Sequence, residues 1–400
     1  MRIFYPGMLL LIGIHTYSQE QEIKPEIEIK GSIRFQMFYD TYQSNESRDG
    51  LLYLYPKAND SKGNNESDKI GSSAYFSRIQ IKQTGSQAFG ADITALLEGD
   101  FCGTSQNYAA QLRIRHAFVK LNWDKTSLLF GQYWHTMIES DVVPFSHLVA
   151  NVPFFPLNRS PQISATYKAN DNLSVTGAAL VHSYHRNTAP TDAQRNAGIP
   201  EFAGKLKYSN GPLVIGVNGG INTLKPRLVT DSSSSTTTKI ISPYTGIFGS
   251  FKSKFIIAKW QFIYGKNITQ FSTIGGYGAM ENPDSVEDYN YSNLKTLATW
   301  ADIYTNSEKV QIGLFAGYCT NLGADNTYFS IIGANRNDDL KNVLRISPRL
   351  VFLSKKMQFA IEYAYNRALY GAKWDTKHNI LKTYKPVVNH RFLFSMQYDF

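Results

Sequence analysis

The fold is decided by the stretch His390-Arg-Phe-Leu-Phe-Ser-Met-Gln-Tyr-Asp-Phe400. Side chains of a β-strand alternate between its two faces. One face of this stretch is apolar throughout: Phe392, Phe394, Met396, Tyr398 and Phe400. The other face is mainly polar: Arg391, Leu393, Ser395, Gln397 and Asp399. The pattern predicts a β-strand that fits either a soluble sandwich or the wall of a membrane barrel.

The composition favours the barrel. Aromatic residues make up 14% of the 400 residues, with 25 Tyr and 24 Phe, whereas the mean hydropathy is only −0.29. Many aromatic residues in a chain that is not hydrophobic overall are typical of lipid-facing girdles around a wet lumen. The sequence has no run of about 18 apolar residues, so a transmembrane helix is excluded. We predict an all-β protein, a transmembrane antiparallel β-barrel.

The first 18 residues have the features of a signal peptide. Arg2 precedes the apolar stretch Met8–Ile14, and the small residues Thr16 and Ser18 precede Gln19. This order of charge, apolar core and small residues predicts cleavage before Gln19. Residues 19–26 are then a short periplasmic segment, and residues 27–400 form the barrel. The alternative is that the apolar stretch is a buried strand.

From Ile27 onward the chain divides into alternating segments of about ten residues. Roughly sixteen strands result, an even number typical of bacterial barrels. Tight turns such as Asn210-Gly211 alternate with long polar segments such as 41–71, which we predict to be a surface loop. This sorting of lengths is expected when turns face the periplasm and loops face the outside. The alternation becomes irregular near His116, which indicates a β-bulge.

Basic residues are concentrated on the polar face of the first four strands. The predicted pore-lining residues are Arg34, Arg78, Lys82, Arg113 and Arg115, with the carboxylates Glu98 and Asp100 beside them. Guanidinium groups can bind carboxylates through two hydrogen bonds, so the set would form an anion path. The other interpretation is that these charges only make the lumen wall polar.

Residues 135–160 form a long segment that is hydrophobic for a surface loop. Such a segment is costly unless its apolar side chains are covered. Folding into the barrel as a constriction would cover them and leave Glu139, Asp141 or Arg159 free to face the channel. The alternative is a contact between subunits.

Other chemistry has little support in the sequence. No nucleophile elbow, phosphate-binding loop or zinc-protease motif is present, so we expect no catalytic residues. We expect no metal or cofactor, and His182 and His185 are interpreted as a surface pair. Export and the absence of Lys/Arg runs argue against nucleic acid, despite a net charge of +9. Cys102 and Cys319 are expected to be unpaired.

Three stretches resemble the DcaP-like porins, which also have relatives in Bacteroidetes. They are Leu96-Leu-Glu-Gly-Asp-Phe101, Leu112-Arg-Ile-Arg-His-Ala-Phe118 and Leu129-Phe-Gly-Gln-Tyr-Trp134. The sequence Arg345-Ile-Ser-Pro-Arg349 extends the resemblance towards the end of the chain. The resemblance implies a trimeric sixteen-stranded outer-membrane channel for small anionic solutes such as dicarboxylates. Some members have an N-terminal coiled-coil extension, whereas we expect only residues 19–26 before the first strand here.

The last strand also resembles the final strand of Gram-negative outer-membrane barrels. That resemblance implies that Phe400, with Tyr398 two places before it, is an assembly signal for the barrel-insertion machinery. We therefore expect a homotrimeric porin in the outer-membrane lipid, giving passive diffusion of small hydrophilic solutes with an anion preference. The alternatives are a barrel enzyme of the lipase or protease type with a rim site, and an energy-coupled transporter. The transporter would need a plug domain that residues 19–26 cannot supply.

Overall fold

The computed structural model describes residues 25–60, 62–188, 190–327, 339–377 and 379–400. The predicted signal peptide, and the residues after it up to 24, lie outside this description. The strands are β1 (Glu26–Asp40), β2 (Ser44–Ser47), β3 (Leu52–Pro56), β4 (Lys69–Ser73), β5 (Arg78–Ala88), β6 (Ala91–Asp100), β7 (Arg113–Asn122), β8 (Thr126–Trp134), β9 (Arg159–Lys168), β10 (Leu173–Leu180), β11 (Glu201–Asn210), β12 (Leu213–Leu224), β13 (Ile240–Lys252), β14 (Ile256–Lys266), β15 (Tyr277–Asn282), β16 (Ser285–Thr305), β17 (Val310–Ala324), β18 (Leu340–Ser354), β19 (Met357–Trp374), β20 (Ile380–Thr383) and β21 (Val387–Asp399).

Helical structure in the described residues is limited to single turns. They are α1 (Ala193–Ala197) and four 3₁₀ turns, Gln106–Tyr108, Ser140–Val142, Val149–Asn151 and Thr269–Phe271. None of these helices is long and apolar enough to cross a membrane. Both cysteines are unpaired, as predicted, and both are buried.

The strands close into a sixteen-stranded antiparallel barrel. Each strand of the wall pairs with its neighbours along the chain. β4 and β5 together form the second wall strand, and β15 and β20 extend hairpins beyond the wall. The seam joins β1 to β21, with Ser32 opposite Asp399 and Asp40 opposite Arg391. Closure leaves no free sheet edge, as a barrel in hydrocarbon requires. The predicted fold class and the predicted pairing of the last strand with the first are confirmed.

The two faces of the wall differ as the alternation predicts. On β21, Phe392 is 52% exposed on the outside, whereas its neighbour Leu393 is 5% exposed on the inside. On β1, Arg34 and Gln36 are buried inside, whereas Ile33 is exposed outside. An apolar exterior around a polar interior is the arrangement of a membrane-spanning barrel.

The connections are sorted by length between the two ends. Seven short turns, from two to four residues, join β5–β6, β7–β8, β9–β10, β11–β12, β13–β14, β16–β17 and β18–β19. The longer connections of the described residues lie at the opposite end of the barrel. The predicted bulge is confirmed on β7, where the pairing with β6 shifts between Ile114 and His116.

The seam depends on a close approach between Gly31 and Phe400. Their backbones exchange two hydrogen bonds, of 2.9 and 3.2 Å. A Cβ atom on Gly31 would lie 2.3 Å from Phe400 Cζ and 2.7 Å from the carbonyl oxygen of Arg78. The missing side chain therefore makes room for the final aromatic ring.

Replacing Gly31 with valine should destabilise the barrel. The new methyl groups overlap both the Phe400 ring and the Arg78 carbonyl, and overpacking of this kind costs about 1–3 kcal/mol. Urea unfolding of the protein in detergent micelles measures the loss. Gly177→Val is the matched control, since a Cβ atom at Gly177 meets nothing within 4 Å. Equal stability of the two variants would show that the approach does not matter.

Candidate functional site

Residues 135–158, which we call the inward loop, cross the interior of the barrel from β8 to the far wall. At residues 145–148, which we call the tip, the amide of Phe145 donates a hydrogen bond to Asp302 Oδ2 on β16 at 2.7 Å. The amides of His147 and Leu148 donate to Glu362 Oε2 on β19 at 2.6 and 3.3 Å. Two buried carboxylates thus hold the backbone of the tip through charge-assisted hydrogen bonds.

The carbonyl of His147 points towards β1, away from Glu362. It accepts hydrogen bonds from Arg34 Nη2 at 2.6 Å and from Gln36 Nε2 at 2.7 Å, both on β1. Burial, with Arg34 and Arg349 nearby, lowers the pKa of His147 well below its ordinary value. The imidazole is therefore neutral at pH 7, and the tip adds no charge to the lumen.

The base of the inward loop is held by a buried carboxylate, Glu201, at the start of β11. His135 Nε2 lies 2.9 Å from Glu201 Oε1, and His182 and Tyr244 also bond to this carboxylate. His182 is only 2% exposed. The surface pair predicted from the sequence is therefore wrong, because Glu201 draws His182 inside. Across the described residues, no group of three His, Cys, Asp or Glu side chains could hold a metal ion.

The acidic residues of the inward loop are paired, whereas the sequence left them free to face the channel. Glu139 lies 2.7 Å from Lys205 Nζ and 2.9 Å from Lys207 Nζ, and Asp141 lies 2.8 Å from Lys207 Nζ. Burial opposes ionisation of Glu139, but the two lysines outweigh burial and lower its pKa to about 2. These ion pairs pin the loop to β11.

The apolar residues of the inward loop fill one side of the lumen. Met137, Phe154 and Phe155 are buried in a cluster with residues of β13 to β18. Phe155 packs against Trp300 with ring centres 5.9 Å apart. This side is filled by packed side chains, so the open space lies between the loop and the β1–β9 wall.

A second segment also folds inward, against the prediction of a surface loop for 41–71. The hairpin β2–β3 has Tyr53 only 1% exposed. Arg391 donates to the carbonyl of Gly50 at 2.8 Å, and Tyr370 donates to that of Pro56 at 2.8 Å. The apolar run Leu51–Tyr55 drives the burial, although the polar residues around it conceal the signal.

The open space is a cavity of about 560 Å³. Its lining includes seven arginines: Arg34, Arg48, Arg78, Arg113, Arg115, Arg159 and Arg186. No carboxylate of the described residues lines it. Of the residues selected from the sequence, five arginines come together here, whereas Lys82 lies on the same wall but outside the described lining. Sequence reasoning missed Arg48 and Arg186, which come from loops without a periodic pattern.

The fixed carboxylates neutralise only part of this cluster. Asp100 binds Arg113 through two hydrogen bonds, of 2.6 and 3.0 Å, and Arg115 through one of 2.9 Å. Glu98 also bonds to Arg115. Arg34, Arg78 and Arg159, by contrast, form no ion pair within the described part of the chain.

The closed barrel, with its apolar exterior and polar lumen, has the fold of outer-membrane porins. It resembles the outer membrane channel DcaP of Acinetobacter baumannii, with 15% identity, a TM-score of 0.69, and coverage of 95% of this chain and 99% of that chain. It also resembles the anion-selective porin from Comamonas acidovorans, with 10% identity, a TM-score of 0.58, and coverage of 94% and 100%. OmpF of Salmonella typhi is also similar, with 11% identity, a TM-score of 0.54, and coverage of 94% of this chain and 97% of that chain.

No protein-family model matches the chain, and no curated protein matches its sequence. At these identities the structural likeness shows the fold alone. Membership of the DcaP-like family therefore stays a prediction.

Replacing Glu362 with glutamine should loosen the tip of the inward loop. A hydrogen bond to a charged group contributes about 1.5–3 kcal/mol, and each 1.4 kcal/mol is a factor of ten. The amides of His147 and Leu148 should therefore exchange with deuterium at least about tenfold faster, as measured by mass spectrometry. Glu308→Gln, at an exposed turn, is the control. Unchanged exchange in the Glu362 variant would mean that other contacts hold the tip.

Proposed function

We propose that the protein is an outer-membrane porin through which small hydrophilic solutes diffuse passively, with a preference for anions. The cavity carries this proposal, because seven arginines and no described carboxylate line it. Cations that share a narrow, low-dielectric wall raise the local potential and favour anion entry. Planar guanidinium groups bind carboxylates in pairs of hydrogen bonds, so dicarboxylates are the solutes that fit best.

The inward loop serves as the constriction in this proposal. Its apolar residues close one side of the lumen, so solutes pass along the β1–β9 wall. Arg34 connects the inward loop to the cationic wall, since it lines the cavity and donates a hydrogen bond to the carbonyl of His147. Arg159 lies at the end of the loop and completes the cationic wall.

The cellular setting follows from the same proposal. Residues 1–18 act as the signal peptide, the short turns face the periplasm, and the barrel lies in the outer-membrane lipid of a Gram-negative bacterium. The resemblance to DcaP-like porins, including Bacteroidetes relatives, supports a homotrimer. Tyr398 and Phe400 are exposed on the outside of the seam, where the barrel-insertion machinery could bind the final strand.

The barrel enzyme has no comparable support. His135 and His182 bond to Glu201, and both rings are shielded from solvent. Serine is not a hydrogen-bond partner of either ring in the described residues. A hydrolytic site would need such a nucleophile beside an accessible histidine.

Replacing Arg34 and Arg78 together with glutamine should lower the anion preference. Glutamine keeps a donor for the His147 carbonyl but removes two charges that no described carboxylate neutralises. We expect the chloride-to-potassium permeability ratio to fall at least about threefold at 0.01 M salt and less at 1 M, where the Debye length shrinks to about 3 Å. Reversal potentials in planar bilayers measure the ratio.

The control removes two exposed charges outside the cavity, with Lys62→Gln and Arg195→Gln. Arg113 and Arg115 are poorer targets, because their loss would leave Glu98 and Asp100 buried without partners. A cavity variant with the wild-type permeability ratio would contradict the proposed anion preference.

A further inference from the structure

Aromatic rings lie between the arginines of the cavity, and two of them, Phe76 and Trp134, face arginines that have no carboxylate partner in the described residues. The guanidinium carbon of Arg78 is 4.1 Å from the centre of the Phe76 ring, and those of Arg34 and Arg115 are 5.1 and 5.6 Å away. Arg115 also faces Trp134 at 5.9 Å, and Arg159 faces the same ring at 4.6 Å. Cations and rings therefore alternate along the wall, with Arg115 between the two rings.

Phe76 reaches this position through a break in the sheet. β1 pairs with β5 up to Ser32 and with β4 from Gln36 onward, so residues 74–77 leave the ladder. The amide of Arg34 donates to Ser77 Oγ at 3.0 Å and fixes the break. Phe76 then lines the cavity. Trp134 lies at the last position of β8 and lines it as well.

The need for the rings follows from the charges. Arg34, Arg78 and Arg159 have no carboxylate partner in the described residues, so mutual repulsion would drive their side chains apart. A carboxylate could hold them but would cancel the charge. The face of an aromatic ring attracts a guanidinium group and adds no net negative charge. The ring therefore orders the cation and leaves it available to a solute.

We propose that Phe76 and Trp134 are positioning residues that keep the unpaired arginines ordered and directed towards the anion path. This inference rests on the proposed porin function and deepens it. Leucine at either position keeps an apolar side chain but removes the ring face. Tyrosine at 76 and phenylalanine at 134 keep a ring, so they should rescue the function.

The test uses the full-length protein in planar bilayers with potassium chloride gradients at low salt. Phe76→Leu and Trp134→Leu should each lower the chloride-to-potassium permeability ratio about threefold, as expected for the loss of one cation–ring interaction. Phe76→Tyr and Trp134→Phe should stay close to the wild type. Phe255→Leu is the control, since this ring also faces a lysine, at 5.9 Å, but in a turn away from the cavity.

The outcomes separate the two proposals. A wild-type channel without chloride preference would overturn the proposed function, and this inference with it. A wild-type preference that survives both leucine variants would overturn the positioning role alone. Loss of the chloride preference in Phe76→Tyr and Trp134→Phe as well would also overturn the positioning role, because altered packing would then explain the loss in all four variants. The permeability ratio is interpreted separately for positions 76 and 134. If the variant at one position fails to insert into the bilayer, the variants at the other position test the proposal.

Discussion

The closure of the sheet between β1 and β21 is the constraint on which the rest of the molecule depends. Asp40 and Arg391 face each other across this seam and form a buried ion pair with two hydrogen bonds, of 2.8 and 2.6 Å. Breaking a buried pair of this kind leaves an uncompensated charge, which costs about 3–5 kcal/mol. Once the seam is set, the period of two determines which side chains enter the lumen, because a slip by one residue would reverse every face.

Several carboxylates inside the barrel have partners other than the arginines of the cavity. Asp302, Glu362 and Glu201 bind backbone amides, histidines or a tyrosine, and so hold the inward loop at its tip and base, and Asp302 also pairs with Arg349 outside the cavity lining. Because these acids are occupied elsewhere, few remain for the arginines of the cavity. The loop thus has two effects. It fills one half of the lumen with apolar side chains and leaves the other half positively charged.

Much of the fold could be predicted because strand alternation is a local property of the sequence. The inward direction of Arg34, Arg78, Arg113 and Arg115 follows from it. The fate of Glu139 could not be predicted, since its partners Lys205 and Lys207 lie on a strand more than sixty residues away in the chain.

Other parts of the site have no periodic signal. The hairpin β2–β3 is a short apolar run inside a polar tract, and averaging over the tract conceals it. Arg48 and Arg186 enter the cavity from loops, whose paths depend on tertiary contacts. Phe76 faces inward only because the ladder breaks between β4 and β5. The sequence alone does not indicate such a break.

If the proposed anion preference holds, the unpaired arginines attract anions into the cavity. The most direct measurement is anomalous diffraction from crystals of the full-length protein soaked in sodium bromide. Bromide peaks are expected inside the cavity, within hydrogen-bonding distance of Arg34, Arg78 or Arg159. Bromide on the outer surface with none in the cavity would contradict the proposed anion preference.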